Sequence, residues 1–374
     1  MNLKLSARQT RWLRLKAQRL LSPDSGPTTG PAAVIQQVMG VQAQDLPAGR
    51  LSVRARSTGL TDAGVEQARG EERSILWTWC MRGTLHLVTA EDGRWLIPFL
   101  GPRLVASNRR RASQLGWDEE RAAIAIGLLQ ESLREHGALT RPEVVRLLQA
   151  NHLPFDGQAT VHLLYRAVLQ GALCIGAYRG KQRTYTLADA WLGEWQTPPP
   201  EEALARIARR YWAGYGPATV EDLACWSGLK IRDARQAWQL VADQLVEAEL
   251  DGHAVWLLKD QLPWLEEPFQ STVRLLPRFD TYLLGYLDRS LIVDPAYARR
   301  YIYSGGIIYP VLLVDGQALG TWKSKRKKAG LEVRVQPFEP LAAGLLPSNE
   351  SEVADLGRFL GEKALLILEE PRHP

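Results

Sequence analysis

The sequence predicts an α+β chain built from repeated helical units, each closed by a short hairpin, with a β-rich segment at the end. Three observations carry this. "HGALTRPEVVRLLQA", beginning at His136, and "GYGPATVEDLACWSG", beginning at Gly214, read alike. Each is followed by a further helical pattern and then by two short strands around a polar turn. Beyond Ser271 the pattern becomes strand-like and is broken at Gly305-Gly306, Asp315-Gly316 and Lys328-Ala329-Gly330.

The elements follow in order. In the first of the two repeats Thr140 and Glu143 have capping-box spacing with Pro142 inside the first helical turn, and in the second Thr219 and Asp222 hold the same places. Ahead of them lie the amphipathic stretches "WDEERAAIAIGLLQESLREHG", with Asp118 as cap, and "EEALARIARRYWAGYG". Behind them come "GQATVHLLYRAVLQG" and "IRDARQAWQLVADQL", then hairpins turning at "RGKQR" and "DGH". Three helices followed by a hairpin make a winged-helix unit, a module that meets either nucleic acid or another protein. A looser copy at the N-terminus runs through the basic helix, "PAAVIQQVMG", a helix after Thr61 and the hairpin "ILWTWCMRGTLHLV". The expected organisation is three tandem winged-helix domains, 1–117, 118–197 and 198–268, followed by a small C-terminal β-barrel-like domain, 269–374. "QTPPPEE" reads as the linker between the second and third units.

With 374 residues, 45% of them hydrophobic and 23% charged, the composition predicts a soluble, cytoplasmic protein of several domains and excludes disorder. No apolar run reaches the roughly 20 residues of a membrane helix, and the N-terminus is charged where a signal peptide would be apolar. Cys80, Cys174 and Cys225 lie far apart without histidines at ligand spacing, so neither a disulfide framework nor a zinc site is expected, and no other metal or cofactor is implied. The net charge is +5, and the segments "ARQTRWLRLKAQRL" and "TWKSKRKKAG" contain no acid. Such blocks suit a polyanion, although a solvated surface has the same composition. Lys323, Lys325, Arg326, Lys327 and Lys328 are the best candidate phosphate contacts, with Arg109, Arg110 and Arg111 weaker ones.

One stretch poses a chemical question. "VMGVQAQDLP" follows a helix expected from Pro31 to Gly40, with Val34, Ile35, Val38 and Met39 as its buried stripe. Gln42 and Gln44 lie beyond the glycine, and residues two apart face the same side only in extended chain. By spacing alone a polar pair after a helix end is the commoner reading. Asp45 next to them reads either as a cap or salt-bridge partner or as a support for the glutamines. His86, within a hydrophobic strand near Arg82 and Thr84, reads as a hydrogen-bonded core histidine or as a group facing a substrate.

Taken with "TWCMRGTLHLVTAED", "LPRFDTYLLGYLDRS" and "GTWKSKRKKAGLEVRVQPFEPL", the stretch "GVQAQD" resembles the winged-helix DNA glycosylases typified by AlkZ and YcaQ. The resemblance runs through nearly the whole chain in the same order, and Gln42-x-Gln44 has the double-glutamine form of the AlkZ branch. It implies that Gln42 and Gln44 are catalytic, that alkylated purines are excised from damaged double-stranded DNA, and that some members unhook interstrand crosslinks. It also implies that a hairpin carrying Tyr303, Ser304, Gly305 and Gly306 enters the minor groove, where an ordinary turn is the other reading, and that Asp45, Arg82, Thr84 and His86 stand near the lesion. The expected protein is thus a monofunctional, monomeric glycosylase of cationic alkylpurines. A winged-helix regulator, or a lesion-binding protein without activity, is the alternative.

Overall fold

The computed structural model describes residues 3–21, 30–153, 155–303 and 307–371. They form two compact units, one of residues 1–65 with 204–374 and one of residues 66–203.

The chain begins in the first unit with β1 (Leu3–Lys4) and α1 (Ala7–Ala17), which Ser6 and Gln9 open as a capping box. The short α2 (Pro31–Gln37) starts on a proline, and all four residues of its expected stripe, Val34, Ile35, Val38 and Met39, are buried. β2 (Val41–Gln42), α3 (Leu46–Arg54) and α4 (Asp62–Gly70) follow, and the boundary between the units falls inside α4.

In the second unit β3 (Ile75–Trp79) and β4 (Leu85–Thr89) pair antiparallel and lead into α5 (Ala90–Gln114). Pro98 removes the donor that would have bonded the Arg94 carbonyl, and the backbone N–H of Gln196 donates to that carbonyl instead, at 3.1 Å. Next come α6 (Glu119–His136), β5 (Leu139–Thr140), α7 (Arg141–Ala150), α8 (Gln158–Leu169), β6 (Leu173–Arg179), β7 (Gln182–Leu187) and α9 (Ala188–Leu192). The capping box of α7 forms as its spacing demands, the Thr140 backbone N–H donating to Glu143 at 2.6 Å. The sheet order is β5-β7-β6, the short strand between the first two helices pairing with the second strand of the hairpin.

The first unit resumes along α10 (Pro200–Tyr215), α11 (Val220–Ser227), α12 (Ile231–Gln239), β8 (Leu245–Leu250) and β9 (His253–Leu258). Thr219 and Asp222 cap α11 reciprocally, and Asp251-Gly252, both at positive φ, make the tight turn between β8 and β9. β1 adds to this hairpin alongside β8, so the first described strand is held by a hairpin far along the chain.

The last segment contains β10 (Val273–Leu276), α13 (Thr281–Leu284), α14 (Ala298–Tyr301), β11 (Ile302–Tyr303), β12 (Ile307–Ile308), β13 (Val311–Val314), β14 (Gln317–Lys327), β15 (Gly330–Pro337), α15 (Leu346–Leu360) and β16 (Ala364–Leu368). The expected barrel does not form. Among the described residues the sheet is open, in the order β10-β13-β14-β15-β16 with β10 and β16 unpaired at its edges, and β16 lies parallel to β15 and so needs α15 as a crossover. Val353 and Leu356 of that helix pack onto Val273, Leu275, Leu312, Trp322 and Val333, which covers the sheet instead of closing it.

Candidate active site and nucleic-acid interface

The approach to the paired glutamines is set by a backbone reversal. α2 ends at Gln37, and the chain turns through Met39 at φ +52° and Gly40 at φ +102°. Left-handed backbone costs a non-glycine residue about 1–2 kcal/mol, but full burial of a methionine side chain returns about 1.5–3, and Met39 is wholly buried. The reversal is thus stable, and α10 holds it from outside. Arg210 donates to the Gln36 carbonyl, and the Tyr215 hydroxyl donates to the Val38 carbonyl at 3.0 Å. Gly214 lies so close that a Cβ there would stand 2.9 Å from the Gln37 carbonyl oxygen.

Beyond the reversal the extended chain is shorter than its sequence suggests. β2 ends at Gln42, and Gln44 and Asp45 form a bend, because Asp45 must swing its carboxylate over the first turn of α3. Asp45 Oδ1 accepts from the Ala48 N–H at 3.3 Å, and Oδ2 stands 3.5 Å from an Arg278 nitrogen. The cap and the salt bridge are both present. Gln42 is only 7% exposed, whereas Gln44 is exposed. The glutamines therefore differ in exposure: Gln42 is buried, and Gln44 reaches solvent. Gly49 fixes the bend to α3, since a Cβ at that position would lie 2.7 Å from the Ala43 Cβ.

α3 is itself anchored at its far end. Arg54 donates to Glu352 at 2.9 Å, to Asp355 at 3.0 Å and to the Leu275 carbonyl at 3.0 Å. Burial pushes the Glu352 carboxyl upward, but Arg54 and Arg274 beside it outweigh this and hold it ionised below its ordinary range. Arg56 donates to both oxygens of Asp280, and neither side chain reaches solvent. These anchors are invisible to local pattern because their partners lie hundreds of positions away. One signal is present in "LPRFDTYLLGYLDRS", where a charged pair flanks an aromatic in otherwise apolar text.

In the second unit His86 lies in β4, 2% exposed, with Nδ1 2.9 Å from the Thr84 carbonyl. A carbonyl only accepts, so Nδ1 carries the proton and Nε2 is the acceptor. Burial, helped by the nearby Arg82 guanidinium, lowers its pKa to about 3, and the ring is neutral near pH 7. Arg82 is half-buried at φ +56°, and the Thr84 hydroxyl donates to the Met81 carbonyl at 3.2 Å.

Of the expected groove hairpin, the Tyr303 backbone pairs with Ile307, and Ser304, Gly305 and Gly306 lie outside the described residues. Tyr301 is buried and Tyr309 is exposed. The basic block occupies the exposed end of β14 and the turn after it, but its charges are unequally available. Arg326 pairs with Glu362 at 2.9 Å and Lys323 with Glu369 at 3.7 Å. Lys325, Lys327 and Lys328 make no ion pair among the described residues. On α5, Arg109 stands 3.6 Å from Glu119, and Arg111 donates to Gln114 and Gln158.

The model of a family described as DNA glycosylase AlkZ-like matches residues 35–359, a span that contains the reversal, the bend and the whole anchored helix. The chain belongs to this family. An AlkZ-like relative from Streptomyces sahachiroi, described as an interstrand DNA cross-link repair glycosylase, is 29% identical over 381 residues, covering 95% of this chain and 98% of its own. The solved structure of the Streptomyces sahachiroi DNA glycosylase AlkZ superimposes with a TM-score of 0.77 at 26% identity, covering 98% of this chain and 100% of that one. No helix among the described residues is long and apolar enough to cross a membrane.

Proposed function

We propose that this AlkZ-like chain is a monofunctional DNA glycosylase that hydrolyses the N-glycosidic bond of cationic alkylpurines, N7-alkylguanine and N3-alkyladenine. The observation that carries the reading is Gln44, exposed on a bend held from both sides, with Gln42 buried two residues before it. Alkylation puts a positive charge on the purine, so the base departs as a neutral molecule and no general acid is needed. What remains is an oxocarbenium-like sugar that requires a water in line with C1′. The Gln44 amide oxygen accepts a hydrogen of that water, and Gln42 fixes the backbone that aims it. The gain comes from positioning and electrostatics, which suits amides that do not exchange protons near pH 7. No motif in the sequence positions a lysine as a Schiff-base nucleophile, so no strand cleavage is expected.

The name of the Streptomyces relative extends the reading to bulky adducts and interstrand crosslinks. A base tied to the opposite strand cannot swing into a closed pocket, and an exposed Gln44 suits a substrate approached from outside. The order helix, strand, two helices and hairpin in 119–187, and three helices and a hairpin in 200–258 where β1 takes the place of the short strand, support reading 118–197 and 198–268 as winged helices, with 1–117 as a looser first copy and the protein acting as a monomer on duplex DNA.

The test is a single-turnover assay on duplex DNA with one N7-methylguanine, measuring free base beside alkali-labile sites. Wild type releases base, and Gln44→Ala loses release while retaining DNA binding. Release at the wild-type rate from the variant would remove Gln44 from the chemistry.

A further inference from the structure

The chain at Pro277–Thr281 joins two ion pairs of opposite character. Asp280 is wholly buried, takes two hydrogen bonds from Arg56 at 2.7 and 2.8 Å, and also accepts from the Tyr282 N–H at 2.9 Å. Between Asp280 and Arg278 stands Phe279 at φ +60°, a conformation a bulky residue keeps only where its surroundings impose it. The buried Asp280 pair holds the residue next to it. The Arg278 pair with Asp45 is different: the contact is 3.5 Å, and the two side chains are 39% and 36% exposed. Pairs exposed to that degree contribute about 0–1 kcal/mol, so this one is readily exchanged.

We propose that Arg278 holds the backbone phosphate of the nucleotide under attack, giving up Asp45 when DNA binds. The inference rests on the reading of Gln44 above. Every deoxyribose is bonded to two phosphates, so a group that aims water at C1′ has a phosphate within the reach of a neighbouring arginine. Arg278 is held beside Asp45, the residue after Gln44, on backbone that the buried Arg56–Asp280 pair fixes. Of the five guanidinium donors one faces Asp45, and the planar fork suits bidentate capture of a phosphate. Asp45 keeps its other oxygen on Ala48, so the exchange leaves α3 capped.

Equilibrium binding to duplex DNA over a salt series tests this with Arg278→Gln, Arg278→Lys and Asp45→Asn, the last retaining the cap because asparagine caps as well as aspartate. Arg278→Gln is expected to weaken binding about tenfold and to lower the salt slope by about one, and Arg278→Lys to restore the slope. Asp45→Asn, freed of the competing carboxylate, is expected to bind about threefold more tightly. A neutral methylphosphonate beside the lesion locates the contact, because its penalty and that of Arg278→Gln should not add. Unchanged affinity and slope in Arg278→Gln, weaker binding by Asp45→Asn, or additive penalties would each overturn the proposal. Binding is read without base release, so a catalytically intact Gln44→Ala would remove the role of Gln44 while leaving the phosphate contact to be judged by its slope.

Discussion

Arg56 and Asp280, 224 positions apart, meet in two hydrogen bonds of 2.7 and 2.8 Å with neither side chain exposed. The pair ties the end of the helix that follows the glutamines to the segment before the C-terminal sheet. Removing one partner of such a pair strands a buried charge, at a cost of about 3–5 kcal/mol, more than its intact form contributes. Asp280→Asn should therefore lower the urea midpoint sharply, while the double change Arg56→Met with Asp280→Leu should recover most of the loss. A single variant within about 0.5 kcal/mol of wild type would mean that the buried pair does not hold this segment.

Gln42→Ala and Gln44→Ala should fail for different reasons. Gln44 is exposed, so its truncation should leave thermal unfolding unchanged and remove base release. Gln42 is buried, and its truncation leaves a gap and unpaired polar groups behind the bend, worth about 1–3 kcal/mol. Equal loss of stability in both variants would contradict the division between scaffold and working residue.

Capping boxes, tight turns and the buried stripe of α2 are legible in the sequence because they depend on residues a few positions apart. Thr140 with Glu143 and Thr219 with Asp222 are examples, and each forms. The open sheet is not legible, because strand pattern does not encode whether a final strand returns antiparallel or crosses over a helix. The bend at Gln44 is half legible: Asp45 reads as a cap from its place before α3, but the turn that capping requires of its neighbour depends on backbone that alternation does not record. Arg56 with Asp280 is legible at one end only: the charged pair around Phe279 marks Asp280, and nothing near Arg56 points to a partner 224 positions away.

The basic hairpin end should separate into used and available charge. Lys325→Gln, Lys327→Gln and Lys328→Gln together should weaken binding to damaged and undamaged duplex alike, lowering the salt slope by about 0.9 for each phosphate no longer neutralised. Arg326→Gln alone should lower the slope less than the three lysine changes together, because it removes one charge and Glu362 at 2.9 Å competes with phosphate for that guanidinium. A larger effect from Arg326 than from the three lysines would reverse this assignment.

His86 should make stability depend on pH above the carboxylate range. In the folded protein it protonates only near pH 3, whereas its unperturbed value is 6.5. Its contribution is complete above pH 6.5 and is lost as the pH falls below that value, at about 1.4 kcal/mol per unit until the folded pKa is reached. Urea unfolding at pH 7.5 and 5.5 should show the decline, and His86→Gln should flatten it. An equal decline in the variant would place the titrating group elsewhere.

The sharpest test of how the bend is held is Gly214→Ala. Alanine ordinarily stabilises a helix interior relative to glycine by about 1 kcal/mol, and Gly127 on α6, with open space around its Cβ direction, should follow that rule without altering base release. At Gly214 the added methyl meets the Gln37 carbonyl at 2.9 Å and the Val38 Cα at 3.4 Å, both backbone atoms that cannot swing aside. Either α10 retreats and Tyr215 loses its bond to Val38, or the reversal at Met39 and Gly40 shifts and carries the glutamines with it. A displacement of about 1 Å in a group that aims a nucleophile costs on the order of a hundredfold in rate. Gly214→Ala should thus lose base release at saturating DNA while keeping the wild-type salt slope, since the charges that meet DNA are untouched. Release at the wild-type rate would show that the bend holds its shape without α10.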